Sequence, residues 1–354
     1  TITVVEGLSF FHPCSGTFEE KETGRKWGDI YYLGTNDVTI TENSNHVGFD
    51  VVHSAASHTM ANSVEWLYLA DVGGAINGTG NIDDNLIEGN NSANNLQGDD
   101  GDDSLYGREG EDTLAGGLGD DFLFGGADGD VLLGGLGTDR INYQASDGWV
   151  NVSLLTGFVG GGIGSHAIGD SFSGIENLSG SNFDDRLNGD HGANGLHGAG
   201  GNDILRGRGG ADSLIGNSGS DTADYADSSA WVNVSLQSGF TGGGLGSHAI
   251  GDTFSSIENL IGSAFGDRLN GDGANNVLEG RAGADILDGN AGDDILSYAT
   301  STAFVNVSLG SGFAGGGAGS HAIGDTWTEM EGLQGSAHND RLNGDGGANT
   351  LQGL

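Results

Sequence analysis

From residue 80 onward the chain alternates short apolar triplets with hydrophilic hexads at a period of nine. Units begin at Gly89, Gly98, Gly107, Gly116, Gly125 and Gly134, and read for example GREGEDTLA, GGLGDDFLF and GGADGDVLL. The eighth position carries Leu96, Leu105, Leu114, Leu123, Leu132 and Ile141. The last three residues of each unit predict a short strand whose middle side chain points inward and whose neighbours point out. The first six are rich in glycine, which turns tightly and visits positive φ without steric cost. Two units then close one flattened coil of 18 residues, and coils stack along an axis. With strands roughly 4.8 Å apart, the chain makes about 20 coils and a rod of roughly 95 Å.

A longer repeat contains these arrays. WVNVSL at 149–154 recurs at 231–236 and as FVNVSL at 304–309, and SHAIGD recurs at 165–170, 247–252 and 320–325. The offsets are 82 and 73 residues, which differ by one nonapeptide. A degenerate unit at Gly80 precedes the first array in register, and further arrays begin at Gly180, Gly262 and Gly335. From the last unit of one array to the first of the next is 46 residues, five nonapeptides plus one. The spacers therefore read as two further coils with a bulge, and their alternation at Val150, Val152 and Leu154 predicts strands.

Composition adds chemistry to this pattern. The 354 residues include 71 glycines and 50 acidic against 11 basic side chains, for a net charge of −39. One proline excludes collagen, and one cysteine, Cys14, excludes a disulfide scaffold. No run of 18 apolar residues can span a membrane. So acidic a chain repels phosphate backbones, which makes nucleic acid a poor partner. What remains is a disordered polyelectrolyte or a fold that recruits cations. Asp outnumbers Glu by 36 to 14, and short carboxylates beside glycines suit Ca²⁺, which takes six to eight hard oxygen ligands.

The nonapeptides resemble the GGxGxDxUx repeat of the RTX family of calcium-binding parallel β-rolls. Flanking segments are similar to RTX spacers as well: GDIYYL at 28–33, NDVTITEN at 36–43, GFDVV at 48–52 and VEWL at 64–67, with the ending repeated as IENL at 175–178 and 257–260 and MEGL at 330–333. The resemblance covers residues 28–354 and is strongest over 80–142. It implies an all-β, right-handed parallel β-roll or β-solenoid with Ca²⁺ between stacked loops. The expected organisation is an N-terminal cap or linker over 1–27, degenerate flanking coils over 28–79, a first nonapeptide array over 80–142, and three long repeats over 143–225, 226–298 and 299–354. Residues 1–27 fall outside the resemblance and hold both lysines, the proline and the cysteine.

In such a roll the loop of one unit faces the loop two units later, and each gap holds one ion between two position-six side chains. The expected Asp pairs are Asp103 with Asp121, Asp112 with Asp130, Asp121 with Asp139, Asp185 with Asp203, Asp203 with Asp221, and Asp267 with Asp285. Asn85 with Asp103, Asn94 with Asp112, Asn194 with Asp212, and Asn276 with Asp294 keep the oxygen but lose a charge, so they should be weaker. Asp340 holds the same position in the last array. Backbone carbonyls complete each set, with Gly98, Gly107, Gly116, Gly198, Gly207 and Gly280 in the ligand loops. Pairing alone gives about ten ions, which cancel about half of the charge. Asp170, Asp252 and Asp325 in the spacers are expected to take additional ions. The row of inward leucines is one residue wide, so the chain is expected to be unfolded in low calcium and to become β-sheet in millimolar calcium.

Other motifs carry less. His166, His248 and His321 recur in the three long repeats and lie too far apart to share one ion, so a packing role is expected. No HExxH, no GxSxG and no Cys-His pair in a sensible context occurs, and no catalytic constellation is visible. Trp149, Trp231, Phe304, Phe158, Phe240 and Phe313 recur with the spacers and are expected to fill a wider core, with sugar stacking as the alternative. Phe122, Phe124, Val131 and Leu133 should point outward and offer patches to a neighbouring domain or chain. The resemblance implies export through a type I system and folding outside a bacterial cell. The chain begins at Thr1 and stops inside a nonapeptide, so it is expected to be a segment of something longer. Three functions follow as expectations: a structural module of a secreted protein, an adhesin presenting repeated surfaces to glycans or neighbours, and the non-catalytic module of a secreted epimerase or metalloprotease.

Overall fold

The computed structural model describes residues 10–12, 16–19, 28, 30–34, 38–41 and 48–354. Among them there is no helix, and every long element is a strand of two to six residues. The expected cap over 1–27 falls mostly outside the described residues, Cys14 included. Its strands Phe10–His12 and Gly16–Glu19 pair in parallel with Ile30–Leu33 and Val38–Thr41. The chain divides into two compact units, residues 1–152 with 157–179, and residues 153–156 with 180–354.

In the first unit the register is that of a parallel roll. Asn95–Asp100 pairs with Thr113–Leu118, placing Leu96 against Leu114, and Ser104–Glu109 pairs with Phe122–Ala127, placing Leu105 against Leu123. Every partner lies 18 residues on, one coil. Alternate units therefore build two separate sheets, and Leu96, Leu105, Leu114, Leu123, Leu132 and Ile141 are fully buried between them. Each such leucine is worth about 2 kcal/mol in area removed from water. The flanking Phe122, Val131 and Leu133 are exposed as their strand positions require. Phe124 is half-buried because its ring stacks on Tyr106, 4.3 Å between centroids.

In the second unit one sheet runs through Arg186–Asn188, Ile204–Arg206, Thr222–Asp224, Asn259–Ile261, Val277–Glu279, Ile295–Ser297, Gly332–Gln334 and Thr350–Gln352. The facing sheet is replaced at each spacer. The strands Gly195–Gly200, Ser213–Ser218 and Thr253–Ser255 end there. A new series begins with Val232–Ser235 and continues through Arg268–Asn270 and Ile286–Asp288 to Thr326–Thr328. Val305–Ser308 begins the next and pairs with Arg341–Asn343.

The spacers differ from expectation. Strands hydrogen-bonded across them are 40 residues apart, as Val131 to Ser171, Ser213 to Thr253 and Ile286 to Thr326, or 37 apart, as Arg140 to Asn177, Thr222 to Asn259 and Ile295 to Gly332. Direct pairing leaves no room for an intervening coil. Each spacer is one coil enlarged by an insertion, not two coils with a bulge. In the second unit the insertion is an antiparallel hairpin, Val232–Ser235 with Phe240–Gly243 and Val305–Ser308 with Phe313–Gly316. Gly239 and Gly312, at φ +68° and +64°, close the turns. Trp231, Phe240, Phe304 and Phe313 are about half exposed, and Leu245 at the hairpin's end is fully exposed, so these residues do not fill a wider core.

Candidate metal centres in the stacked loops

The hexads form turns at the sheet margins, and their sixth residues stack in rows one coil apart. The backbone N–H of each donates to the inner carboxylate oxygen of the next. Asn85 donates to Asp103 Oδ1 at 2.7 Å, Asp103 to Asp121 at 2.8 Å, and Asp121 to Asp139 at 2.9 Å. Asn94, Asp112 and Asp130 form the parallel row. In the second unit Asp185, Asp203 and Asp221 continue the pattern, as do Asn194 with Asp212, Asp267 with Asp285, and Asn276 with Asp294. Every expected pair is thus brought together.

Backbone conformation separates the eighteen loops into two kinds. In those opening at Gly98, Gly107, Gly116, Gly125, Gly134, Gly198, Gly207, Gly216, Gly280 and Gly289, positions two and four both have positive φ, for example Asp99 at +77° with Gly101 at +112° and Arg108 at +82° with Gly110 at +113°. The outer carboxylate oxygen then has no partner. Oδ2 of Asp103, Asp112, Asp121, Asp130, Asp139, Asp203, Asp212, Asp221, Asp285 and Asp294 is buried without a hydrogen bond. These ten open loops each contribute one such atom. A buried unpaired carboxylate oxygen costs several kcal/mol unless something neutralises it.

The first two loops of every array are closed instead. Position two keeps a negative φ, and its N–H donates to the sixth side chain: Asn81 to Asn85, Asn90 to Asn94, Asp190 to Asn194 and Asp272 to Asn276, each at 2.8 Å. Ser181, Ser263 and Ser336 bond Asp185, Asp267 and Asp340 with both N–H and hydroxyl. Asn amides use their remaining hydrogens on carbonyls, Asn94 on Ile76 and Asn276 on Glu258.

Glycine at position one makes room for this chemistry. A Cβ on Gly116 would lie 1.9 Å from Asp121 Oδ2. On Gly98 it would lie 2.0 Å from Asp103 Oδ2 and 2.6 Å from the Gly116 carbonyl, and on Gly107 it would meet Asp112 Oδ2 at 2.3 Å and the Gly125 carbonyl at 2.4 Å. Carboxylate and carbonyl oxygens from successive coils therefore converge on one small space. Among the described residues no three His, Cys, Asp or Glu side chains gather as a metal site. The donor set is oxygen only, two carboxylates with backbone carbonyls, which suits a hard cation and not a transition metal.

Burial pushes these carboxyls upward: Asp103, Asp130 and Asp285 to about 8, Asp112, Asp203 and Asp212 to about 7, and Asp121, Asp139 and Asp294 to about 6. Neighbouring carboxylates add to the effect, Asp121 on Asp103 and Asp139 on Asp121.

The rows end in the spacers. Asp130, Asp212 and Asp285 donate to Asp170, Asp252 and Asp325, whose other oxygens accept Tyr143, Tyr225 and Tyr298 hydroxyls. Asp139, Asp221 and Asp294 donate to Glu176, Glu258 and Glu331. Sequence reasoning missed the tyrosines and the glutamates, although for the glutamates the recurring IEN and MEG segments carried the signal. The backbone N–H groups of His166, His248 and His321 donate to the hydroxyls of Ser146, Ser228 and Ser301, and the His248 imidazole lies 3.3 Å from Asp227.

A family model described as RTX calcium-binding nonapeptide repeat (4 copies) matches residues 79–114, 106–141, 170–205, 196–223, 261–296 and 333–354. No curated protein matches the chain. Nonapeptide register, parallel roll and matched repeats agree along both units, and the chain belongs to the family of RTX calcium-binding nonapeptide-repeat proteins.

Proposed function

We propose that the ten open loops hold about ten calcium ions and that the chain folds on binding them, as a structural and adhesive module of an extracellular protein. The observation that carries this reading is the set of ten buried Oδ2 atoms without a hydrogen bond, one per open loop. Calcium supplies charge neutralisation and six to eight oxygen bonds in such a gap. The chain's own residues supply the rest. Asp103 and Asp121 present oxygens from adjacent coils, Gly116 turns its carbonyl toward them, and Asp99 and Arg108 hold αL conformations that L residues leave unless something fixes them.

Without cations, the 39 net negative charges leave several carboxylates inside each Debye length of about 8 Å. If each of ten sites sits at ten times its dissociation constant, each adds about 1.4 kcal/mol. Their sum, about 14 kcal/mol, equals the stability of an ordinary domain. A calcium-poor compartment then keeps the chain open, and a calcium-rich exterior folds it. Far-UV circular dichroism through a calcium titration, with magnesium as control, tests the reading: a β-sheet spectrum that persists unchanged in chelator refutes it. The adhesive part rests on the half-exposed Trp231, Phe240, Phe304 and Phe313 repeated on successive hairpins. A glycan array with and without calcium tests that part separately.

A further inference from the structure

We propose that one row of each of the three arrays followed by a spacer ends in an ion site completed by that spacer, in which Glu176, Glu258 and Glu331 take the place of a position-six Asp. This rests on the calcium reading above and extends it to residues outside the nonapeptides.

Inside an array, the gap above Asp103 has three converging oxygens. These are Asp103 Oδ2 without a partner, the carbonyl of the next Gly116, and Asp121 Oδ1, which accepts the Asp103 N–H at 2.8 Å. The last gap of the row repeats this arrangement with spacer atoms. Asp221 is fully buried and its Oδ2 has no partner. A Cβ on Gly216 would meet Asp221 Oδ2 at 2.3 Å and the Ser256 carbonyl at 2.1 Å, so both oxygens face one space. The Asp221 N–H donates to Glu258 Oε2 at 2.8 Å. Asp294 has the same three partners: its own orphaned Oδ2, the Glu329 carbonyl, and Glu331 Oε2 at 3.0 Å from its N–H. Asp139 has them in Gly174 and Glu176, the latter at 2.9 Å.

An independent mark lies in the backbone. Ser256 and Glu329 both sit at φ +51°, and Gly174 at +64°. A serine and a glutamate in the left-handed region turn their carbonyls into the gap that the Gly116 carbonyl enters inside an array, a conformation that persists only where the surroundings over-determine it. Glu258 and Asn259 N–H groups both donate to the Asp221 carbonyl, at 3.1 and 2.8 Å, which anchors that turn on the row it completes. The companion rows end on carboxylates of the ordinary kind, Asp170, Asp252 and Asp325, whose inner oxygens accept the Asp130, Asp212 and Asp285 N–H groups and whose outer oxygens accept tyrosine hydroxyls.

The test uses the full chain carrying E258Q and E331Q, with bound calcium counted by equilibrium dialysis and metal analysis. Glutamine keeps an oxygen for the Asp221 and Asp294 N–H groups and removes only the charge, so a purely structural role leaves the count unchanged. The expected result is two fewer ions than in the unaltered chain, or a tenfold or greater weakening of two sites, with the β-sheet spectrum retained at saturating calcium. The single E258Q change, losing one ion, serves if the double variant folds poorly. An E258D/E331D chain, with the charge restored, should keep the full count. An unchanged count in the glutamine variant overturns the proposal, and so does equal loss in both variants. If the unaltered chain binds no calcium, the underlying calcium reading fails instead, which is a distinguishable outcome.

Discussion

The division into open and closed loops makes an asymmetric prediction for two chemically identical substitutions. Asp121 lies in an open loop, where its Oδ1 faces Asp103 and its Oδ2 is buried without a partner. Changing it to asparagine removes a charge from the gap on either side. At ten times the dissociation constant each lost site forfeits about 1.4 kcal/mol, so two cost about 2.8 kcal/mol. The remaining eight or so ions recover that deficit if each contributes about 0.35 kcal/mol more, which requires the calcium midpoint to rise about 1.8-fold. Asp267 lies in a closed loop, where Ser263 and the Val232 N–H already satisfy both oxygens, and the next closed loop performs the same role with Asn276. Asp267→Asn should therefore shift the midpoint much less. In chelator Asp121→Asn should be no less folded than the unaltered chain, because it removes repulsion. The assay is a calcium titration followed by circular dichroism for all three chains. Equal shifts for the two variants, or a shift only for Asp267→Asn, would show that loop conformation does not decide which loops take ions.

Three further predictions use other parts of the fold. Leu123→Ala empties a fully buried position in a core one side chain wide and should cost 2–5 kcal/mol, roughly, read by urea denaturation in saturating calcium; a loss below about 1 kcal/mol argues that the row carries little of the stability. Gly116→Ala places a methyl 1.9 Å from Asp121 Oδ2 and should displace that carboxylate, reducing bound calcium where Gly353→Ala, in open space, does not. In chelator, acid should stand in for calcium. The folded carboxyls of Asp103, Asp112 and Asp121 are raised by burial to between about 6 and 8, so the folded state binds more protons, and its stability is full below about pH 4 and lost as pH rises through 6 to 8. Circular dichroism in chelator at pH 4.5 should show more β-sheet than at pH 7.5, and a pH-independent spectrum contradicts the linkage.

Much of the roll was legible because each cause acts within one nonapeptide. A leucine every nine residues identifies the inward side chain, and Asp at position six with Gly at position one identifies the stacked rows. Loop closure was only partly legible. Asparagine at position six marks a closed loop, and glycine at position four marks nine of the ten open ones. No single position decides every loop, position two least of all. Asp99, Asn217 and Asn290 occupy position two of open loops, while Asn90, Asp190 and Asp272 occupy it in closed ones. Glycine at position four does not decide either, since Gly192 lies in a closed loop and Asp128 in an open one. The choice depends on the coil stacked alongside. The spacers misled for a simpler reason: 46 residues divide almost evenly by nine, and nothing in that arithmetic distinguishes two coils from one coil that carries a hairpin. The Tyr143, Tyr225 and Tyr298 hydroxyls, each on an Asp 27 residues away, are long-range pairings without a local signature.

Replacement of one sheet at each spacer has a consequence in parity. The last strand of an array is always carried through the spacer, and the strand before it belongs to the sheet that ends: Thr222–Asp224 continues to Asn259–Ile261 while Ser213–Ser218 stops at Thr253–Ser255. The array from Gly262 holds four units, so the sheet that stops at Thr326–Thr328 is the one that began with the hairpin strand Val232–Ser235. Successive hairpins in this unit therefore begin new sheets on the same side of the roll. Inserting one nonapeptide would make the array odd and move the next hairpin to the opposite side, whereas inserting two would leave it in place. The nine-residue difference between the long repeats is thus a change of side as well as of length, and duplication of a single unit can redirect the half-exposed aromatics of every hairpin that follows it.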